Sequence, residues 1–422
     1  MNLSAERNGP APNPADNPVS KGLARSAQSA VRIRSVETFI LRVPLGEQRF
    51  FSSQAAFPER NSLLVKISTD DGIVGWGEGG QYGPPEPVSA CIRHVLSPRL
   101  IGRSVSHPGL VWENLYTFSR DFGQKGTYVE AISAVDIALW DIFGKMLGQP
   151  VAALIGGFYR ETVRAYATGC YYGEDYHNQA SVLRALAVEA ESYVNAGFDT
   201  LKMKIGLLPI ERDAERVALV RKTIGKDVGL LVDANHAYNS SGAIRMGRTL
   251  EQHGIKWFEE PVVPEDRDGY RRVRDALDIP IAGGECEFTR FGFLELFRNQ
   301  CLDIAQPDLC VCGGLSEWTR IQSLAMSFGV LTIPHVWGSG IAVAAALQAI
   351  ATIPPTPFTL NPIPLENEPV VEFDRKFNPL RDDLLEEKFV LENGAVRVPT
   401  APGLGVTVNE LVLARYAHAE PS

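Results

Sequence analysis

A unit of one short apolar strand followed by one amphipathic helix repeats along the second half of the chain, beginning with VRAYATGCY. Consecutive strand ends lie 23 to 29 residues apart. A parallel barrel needs a similar spacing, since its eight units occupy roughly 200–250 residues. The repeat therefore predicts an α/β protein with a (β/α)8 TIM-type barrel, in which VRAYATG is strand one and FTLNPI is strand eight. The strand ends carry Lys204 in LKMKIG, Asp233 in LLVDAN, Glu259 in WFEEP, Glu285 in IAGGE, Asp308 in IAQPD and His335 in TIPH.

An open, doubly wound sheet is the alternative arrangement of alternating strands and helices. Such a sheet usually carries a glycine-rich phosphate loop after its first strand. No such loop follows the first strand here, and Gly156-Gly157 precedes that strand. This glycine pair is interpreted as a joint between domains, which favours the barrel.

The chain before the repeat has mixed strand and helix character. RIRSVETFILRVPL and NSLLVKISTDDGIVGWGEGG have the pattern of strands with a DDG turn, and YVEAISAVDIALWDIFGKMLG has helical spacing that Gly148 and Pro150 end. The first 30 residues are rich in Ala, Pro, Asn and Ser and lack the apolar core of a signal peptide, so they are expected to be a disordered leader. The expected divisions are the leader (1–30), the mixed N-terminal domain (31–155), the barrel (156–379) and a C-terminal segment (380–422).

Charge and hydropathy exclude several classes of partner. The net charge of −9 argues against binding to nucleic acid or to an anionic membrane. No run approaches the ~18 apolar residues of a membrane span. The six cysteines are sparse in a chain of 422 residues, which indicates reduced thiols and a cytoplasmic protein.

Three acidic residues end consecutive strands of the predicted barrel: Asp233, Glu259 and Glu285. A single Asp or Glu at such a position often caps the next helix. Three on adjacent strands would repel one another in a low-dielectric mouth unless a cation neutralised them. Oxygen ligands suit a hard ion, so Mg²⁺ is the first choice and Mn²⁺ a possible substitute.

Asp308 and His335 end neighbouring strands of the same barrel. A histidine oriented by a carboxylate is a common general base. A buried histidine with a purely structural role is the alternative for His335. His335 is expected to lie too far round the barrel from the acidic triad to be an obvious fourth metal ligand.

Lys202 and Lys204 point to the same face of their strand, because side chains alternate along a strand. Their mutual repulsion, with a metal ion nearby, is expected to lower the ammonium pKa and to make a neutral lysine available near pH 7. Lys204 lies nearer the strand end and is the expected base. Lys202 would tune Lys204 and hold an anionic oxygen of the substrate.

These motifs together resemble the enolase superfamily, in the mandelate racemase and muconate lactonizing enzyme family. AISAVDIALWDIFGKMLGQPVAALIGG is similar to the family's segment before the barrel, KMK, DAN, FEEP and GGE to its base and metal strands, and PD and PH to its Asp–His dyad. The resemblance implies Mg²⁺ on the acidic triad and bases at Lys204 and His335. It also implies a capping domain built from about 31–155 and 380–422, and a homo-oligomer.

Within the family, VRAYATG, WFEEPVVPE, QPDLCVCGG, IPHVWGSG, EFDRKFNPLR and PGLGV resemble the galactarolactone cycloisomerases, whose relatives include sugar-acid dehydratases. The resemblance implies removal of the proton α to the carboxylate of a sugar acid or its lactone, followed by β-elimination. Aldonate or aldarate dehydration and racemisation or epimerisation are alternatives. A catalytically inactive barrel that binds a ligand is a further alternative.

Other residues are expected to contact the substrate. Glu372 in VVEFD resembles the family's eighth-strand acid, which hydrogen-bonds the substrate carboxylate. Asn235 and His236 follow Asp233 and have either a substrate-binding or a structural role. The loops RFFSSQ and GGQYGPP, with Gln54 and Tyr82, are expected to form a lid whose polar and aromatic residues suit hydroxylated substrates.

Overall fold

The computed structural model describes residues 31–80 and 83–418. The predicted leader, residues 1–30, lies outside the described residues, as does Tyr82. Within these ranges, none of the helices is long and apolar enough to cross a membrane.

The first part of the chain packs helices against one face of an antiparallel sheet. β1, β4 and β5 form this sheet, while β2 and β3 form a separate hairpin. A π-helical turn, Ile92–Leu96, joins α1 to α2. The elements are β1 (Ile33–Pro44), β2 (Phe50–Phe51), β3 (Ala56–Phe57), β4 (Glu59–Thr69), β5 (Val74–Gly79), α1 (Glu86–Cys91), α2 (Ser97–Leu100), α3 (Pro108–Ser119), α4 (Thr127–Leu147) and α5 (Val151–Ile155).

Helix α4 lies directly on β5 because that strand carries glycine at alternate positions. A Cβ atom at Gly75, Gly77 or Gly79 would collide with backbone carbonyl oxygens of α4. Alternate residues share one face of a strand, so the three glycines leave one flat face for the helix. The helix ends where the sequence predicts, since Gly148 adopts the left-handed conformation, with a φ of 64°.

The second part of the chain alternates strands and helices. The elements are β6 (Thr162–Gly169), α6 (Gln179–Asn195), β7 (Thr200–Lys204), α7 (Ile210–Ile224), β8 (Gly229–Asp233), α8 (Ser240–Glu251), β9 (Phe258–Glu259), α9 (Arg267–Ala276), β10 (Ile281–Gly283), α10 (Thr289–Arg298), β11 (Ile304–Ala305), α11 (Gly314–Ser327), β12 (Leu331–Thr332), α12 (Gly340–Ala351) and β13 (Val371–Asp374). From β6 to β12 each strand pairs in parallel with the next, and β13 pairs in parallel with β6.

The eighth strand of this series is β13, so the prediction that FTLNPI forms it is wrong. FTLNPI contains no strand, and Phe358 and Leu360 within it are exposed. All four residues of β13 are buried. An apolar run with two strongly exposed side chains cannot be a strand covered on both faces, whereas the short VEFD segment can.

The C-terminal segment contacts both parts. Its elements are α13 (Pro379–Asp382), β14 (Leu391–Glu392), β15 (Ala395–Arg397), α14 (Glu410–Tyr416) and β16 (Ala417–His418). β15 pairs antiparallel with β6, and β16 pairs antiparallel with β1. The segment therefore links the parallel sheet to the N-terminal sheet.

Buried carboxylates of the N-terminal part accept hydrogen bonds from helix ends of the second part. Asp136 on α4 accepts from the backbone N–H of Ser316 at 2.8 Å and from its hydroxyl at 2.6 Å, in the first turn of α11. Glu78 on β5 accepts from the backbone N–H groups of Ser339 and Ala342 at the start of α12. Helix N-termini carry unpaired N–H groups and a positive dipole end, which suit these anions.

We expect Asp136→Ala to lower the free energy of unfolding by about 1–3 kcal/mol, because buried donors at the start of α11 lose their acceptor. Equilibrium unfolding in urea measures this loss as a lower midpoint concentration. Asp121→Ala removes an exposed carboxylate of the same part and should change stability by less than about 0.5 kcal/mol. Equal midpoints for the two variants would show that Asp136 does not fasten α4 to α11.

Candidate active site

Three carboxylates meet at the carboxyl ends of β8, β9 and β10. Asp233 and Glu259 are the last residues of β8 and β9 and are partners in the parallel register. Glu285 lies two residues beyond the end of β10. All three are buried, and one oxygen from each lies within 4.8 Å of the others.

This group of carboxylates fits a hard divalent cation. Burial and the neighbouring Asp233 raise the pKa of Glu259 to about 8, which reflects the repulsion between anions held in a low-dielectric site. Oε2 of Glu285 has no hydrogen-bond partner among the described residues. An all-oxygen, anionic donor set with an unsatisfied oxygen matches the preference of Mg²⁺ and Mn²⁺.

Lys202 and Lys204 both lie among these carboxylates. Nζ of Lys202 is 2.7 Å from Oε1 of Glu259 and 2.9 Å from Oε1 of Glu372. Nζ of Lys204 donates to Oδ2 of Asp233. The two ammonium groups therefore balance much of the negative charge that the acidic residues bring into the site.

The side chains of the protein, without a metal ion, do not lower the pKa of either lysine as expected. Burial lowers the pKa of Lys204, but Asp233 and Tyr171 oppose burial, and the net shift is upward. The pKa of Lys202 rises for the same reason, with Glu259 as the largest opposing group. The prediction considered the repulsion between the two lysines and the charge of a nearby metal ion. It omitted the attraction of each lysine to a carboxylate.

Lys202 does not line the cleft and has no exposed surface. Its ammonium group is 3.8 Å from Asp233, in addition to its two shorter ion pairs. The expectation that Lys202 holds an anionic oxygen of the substrate is therefore not met by its position in this structure. Lys202 instead neutralises the acidic residues beneath the cleft.

His335 and Asp308 form the expected pair. Nδ1 of His335 lies 2.8 Å from Oδ2 of Asp308, and Nε2 lies 3.4 Å from Oε2 of Glu285. Burial lowers the pKa of His335, but Glu285, Glu372 and Asp308 outweigh burial and raise it to about 9. His335 thus lies next to a member of the acidic triad, closer than its position in the chain suggested.

Glu372 lies in β13 and belongs to the internal charge network. It accepts hydrogen bonds from the Thr168 hydroxyl at 2.5 Å and from the backbone N–H of Val336 at 3.2 Å. Burial raises its pKa, but Lys202 and His335 prevail and lower it to about 2. An ionised carboxylate only accepts hydrogen bonds, so in this state Glu372 serves as an acceptor for Thr168 and Val336. Its expected hydrogen bond to a substrate carboxylate stays a prediction.

A cleft of about 180 Å³ opens over these groups. Among the residues predicted from the sequence, Lys204, Glu285 and His335 line it, together with the expected substrate-binding residues Gln54, Asn235 and His236. The loop RFFSSQ reaches the cleft because β2 and β3 form a hairpin over it, and the hydroxyl of Ser53 donates to the carbonyl of Ala234 at 2.6 Å.

The aromatic wall of the cleft was missed in the sequence. Phe57, Tyr171 and Trp337 line it, and the indole N–H of Trp337 donates to the hydroxyl of Tyr171 at 3.1 Å. Tyr171 follows strand one and Trp337 follows the strand that ends near His335. Their positions just after parallel strands were an available signal, since the active-site groups of (β/α)8 barrels lie in such loops.

Two sequence models of protein families match the chain. The "Mandelate racemase / muconate lactonizing enzyme, N-terminal domain" model matches residues 35–156, and the "Enolase C-terminal domain-like" model matches residues 185–412. The chain belongs to the mandelate racemase and muconate lactonizing enzyme family of the enolase superfamily.

Relatives with known activities span nearly the whole chain. The D-galactarolactone cycloisomerase of Agrobacterium fabrum is 42% identical over 391 residues, which cover 93% of this chain and 100% of that protein. The arabinonate dehydratase of Saccharolobus solfataricus is 37% identical over 354 residues, which cover 84% of this chain and 90% of that protein. This chain is accordingly an enzyme of the superfamily.

Solved structures share the fold. The 3,6-anhydro-D-galactonate cycloisomerase from Zobellia galactanivorans is 40% identical with a TM-score of 0.81, covering 92% of this chain and 100% of that one. A racemase from Streptomyces coelicolor A3(2) with bound magnesium is 27% identical with a TM-score of 0.80, covering 92% of this chain and 100% of that one.

We expect Mg²⁺ to raise the melting temperature of the protein and Glu285→Gln to abolish this rise. A ligand at 100 times its dissociation constant stabilises the folded state by about 2.7 kcal/mol. Thermal melting with Mg²⁺ and with a chelator measures the effect. Glu285 suits this test better than Glu259, because the Glu259 carboxylate also accepts hydrogen bonds from Trp257 and Gln306.

Glu265→Gln is the matched control, since Glu265 is exposed. This variant should keep the full response to Mg²⁺. If neither Mg²⁺ nor chelator changes the melting temperature of the wild-type protein, a metal site at the triad is contradicted.

Proposed function

We propose that this enzyme removes the proton α to the carboxylate of a sugar acid or its lactone and then eliminates a β-substituent, with galactarolactone cycloisomerisation as the leading reaction. The observation that carries the proposal is the placement of Lys204, His335 and Glu285 around one cleft. The 42% identity to a D-galactarolactone cycloisomerase supports the choice of substrate class.

The architecture that we propose is a closed (β/α)8 barrel over residues 156–379, capped by residues 31–155 and 380–422. Closure is supported by Glu372 of β13, which accepts a hydrogen bond from the Val336 N–H beyond β12. The cap is supported by the pairing of β16 with β1. We also propose that the protein is a homo-oligomer and that it is cytoplasmic. The six free cysteines agree with a reducing compartment.

Asp233, Glu259 and Glu285 would hold the metal ion, with Mg²⁺ as the proposed cofactor. When bound, Mg²⁺ would supply positive charge that stabilises a developing negative charge on the substrate carboxylate. The same charge would weaken the electrostatic attraction between Asp233 and the Lys204 ammonium group. The magnesium-bound racemase of the same fold agrees with this cofactor.

Lys204 and His335 divide the proton transfers between them. Neutral Lys204 takes the α-proton, and the electron pair of that C–H bond forms a double bond as the β C–O bond breaks. His335, with a pKa of about 9, is an imidazolium near neutral pH and gives the Nε2 proton to the departing oxygen. Asp308 accepts from Nδ1 and holds the ring in place.

Lys202 and Glu372 are proposed to position these groups. Their ion pair, at 2.9 Å, is buried under the cleft. It keeps Glu372 ionised beside His335, which favours the imidazolium form of that ring. Gln54, Asn235 and His236 line the same cleft and are proposed to bind hydroxyl groups of the substrate.

In a lactone the leaving group is the ring ester oxygen, which departs as a carboxylate and needs less acid assistance than hydroxide. The product enol then tautomerises to a 3-deoxy-2-keto acid. Dehydration of an open sugar acid is the second candidate, and a specific observation favours it: His335 is held as an acid that can protonate a departing hydroxyl. The arabinonate dehydratase relative supports the same reaction.

We expect Lys204→Ala and His335→Asn each to reduce turnover by at least about 100-fold, the lower bound for a general acid or base. In D₂O, His335→Asn should still exchange the substrate α-proton, because Lys204 remains, whereas Lys204→Ala should not. Proton NMR of recovered substrate measures the exchange. Exchange and turnover at the wild-type rate in both variants would contradict the two roles.

Product mass distinguishes the two candidate reactions. Elimination that opens a lactone gives a product isomeric with the substrate, whereas dehydration of an open acid loses one water. We expect a screen of aldaric and aldonic acids and their lactones to yield an isomeric 3-deoxy-2-keto acid from a lactone, identified by mass spectrometry and NMR. A product that keeps its β-substituent and inverts only at the α-carbon would overturn the elimination and favour racemisation or epimerisation.

A further inference from the structure

A second group of metal-binding side chains follows the carboxylate triad along the same three loops. It consists of His236, Glu260 and Cys286. Nε2 of His236 lies 3.1 Å from Oε2 of Glu260 and 3.9 Å from Sγ of Cys286. One donor atom from each residue lies within 4.8 Å of the other two.

The carboxylate of Glu260 needs a partner that the described chain does not fully provide. The residue is 1% exposed, and its Oε2 atom has no hydrogen bond within the described ranges, although His236 lies close to it. Nδ1 of His236 also lacks a hydrogen-bond partner there. A buried polar oxygen without a hydrogen bond is costly. An unsatisfied carboxylate oxygen close to an imidazole and a thiol therefore indicates a cation site.

We propose that His236, Glu260 and Cys286 bind a borderline transition-metal ion such as Zn²⁺, at a site separate from the carboxylate triad. Nitrogen, oxygen and thiolate ligands are the set that Zn²⁺ takes, with metal–ligand distances of about 2.0–2.3 Å. Ligands around such an ion lie roughly 3–4 Å apart, so the 3.1 and 3.9 Å separations already suit it. Cysteine binds as the thiolate, so its proton passes to solvent on binding.

The donor atoms separate this site from the triad by chemistry as well as by position. The triad offers oxygen alone, which suits Mg²⁺, whereas thiolate and imidazole favour softer ions. Cys286 and His236 line the cleft, so an ion can reach them from solvent. Of the six cysteines, all in described positions, Cys286 is the one that is not buried.

Occupancy would place a cation in the cleft that also holds Lys204, and His236 would then bind the ion instead of a substrate hydroxyl group. Any effect on turnover rests on the proposed function, whereas metal binding does not. The test therefore measures binding directly. If binding succeeds and no sugar acid reacts, the site stands and the proposed function fails.

The experiment titrates Co²⁺ into the full-length protein in excess Mg²⁺ and follows the thiolate-to-cobalt charge-transfer absorption. We expect one Co²⁺ per chain with a thiolate band. Cys286→Ser should remove the band and weaken Co²⁺ binding by at least about 10-fold, as loss of support for a metal site does. Cys91→Ser changes a buried cysteine of the N-terminal part and should keep both.

Glu285→Gln separates the two sites, because it alters the triad and keeps the three side chains of the second site. We expect this variant to keep the thiolate band. A band that disappears in Glu285→Gln would assign the ion to the triad and overturn the proposal. So would a wild-type protein without the band, or a band that persists in Cys286→Ser.

Thiol labelling tests the proposal without any variant. We expect Zn²⁺ to slow the alkylation of Cys286 by iodoacetamide at least tenfold in excess Mg²⁺, with the labelled peptide identified by mass spectrometry. Alkylation of Cys286 at the same rate with and without Zn²⁺ would overturn the second site.

Discussion

Pairing of buried charges at the carboxyl ends of the parallel strands is the constraint on which the rest of the structure depends. Lys202 is wholly buried and lies between Glu259 and Glu372, which belong to β9 and β13. Removing charges from water is costly unless each one is paired. Strands that are distant in the chain must therefore meet in one register. The ion pairs of Lys202 connect β7 to β9 and to β13, although neither is a hydrogen-bonded neighbour of β7.

The same balance of charge determines what the active site can do. Asp308, Glu285 and Glu372 surround His335 and keep it protonated, whereas Asp233 holds Lys204 in its charged form. In the proposed mechanism, His335 would be an acid before substrate arrives, and Lys204 would become a base when the negative charge of Asp233 is compensated. The proposed mechanism would therefore couple the availability of Lys204 as a base to the occupancy of the carboxylate triad.

The N-terminal part is held against the part with parallel strands by buried acids as well as by apolar contacts. Asp136 and Glu78 accept hydrogen bonds at the starts of α11 and α12, close to the loops that carry Asp308 and His335. Since each helix start follows a strand end in such a fold, these contacts bring the N-terminal part to the carboxyl ends of β11 and β12. The β2–β3 hairpin then brings Gln54 and Phe57 to the site.

The sequence by itself determined the class of fold and the chemical groups of the site. The regular spacing of strand ends, each with an ionisable residue, predicted the parallel repeat, and it selected Asp233, Glu259 and Glu285 as neighbours because parallel strands end at one edge. Tertiary structure alone decided which strand came eighth and which charges compensate one another. Burial favoured VEFD over FTLNPI as the eighth strand. A carboxylate close to each lysine raised the pKa of Lys202 and of Lys204, which repulsion between the two lysines alone would have lowered. Spacing along a chain fixes which residues share an edge, but a pKa depends on distances of a few ångströms between side chains from different strands.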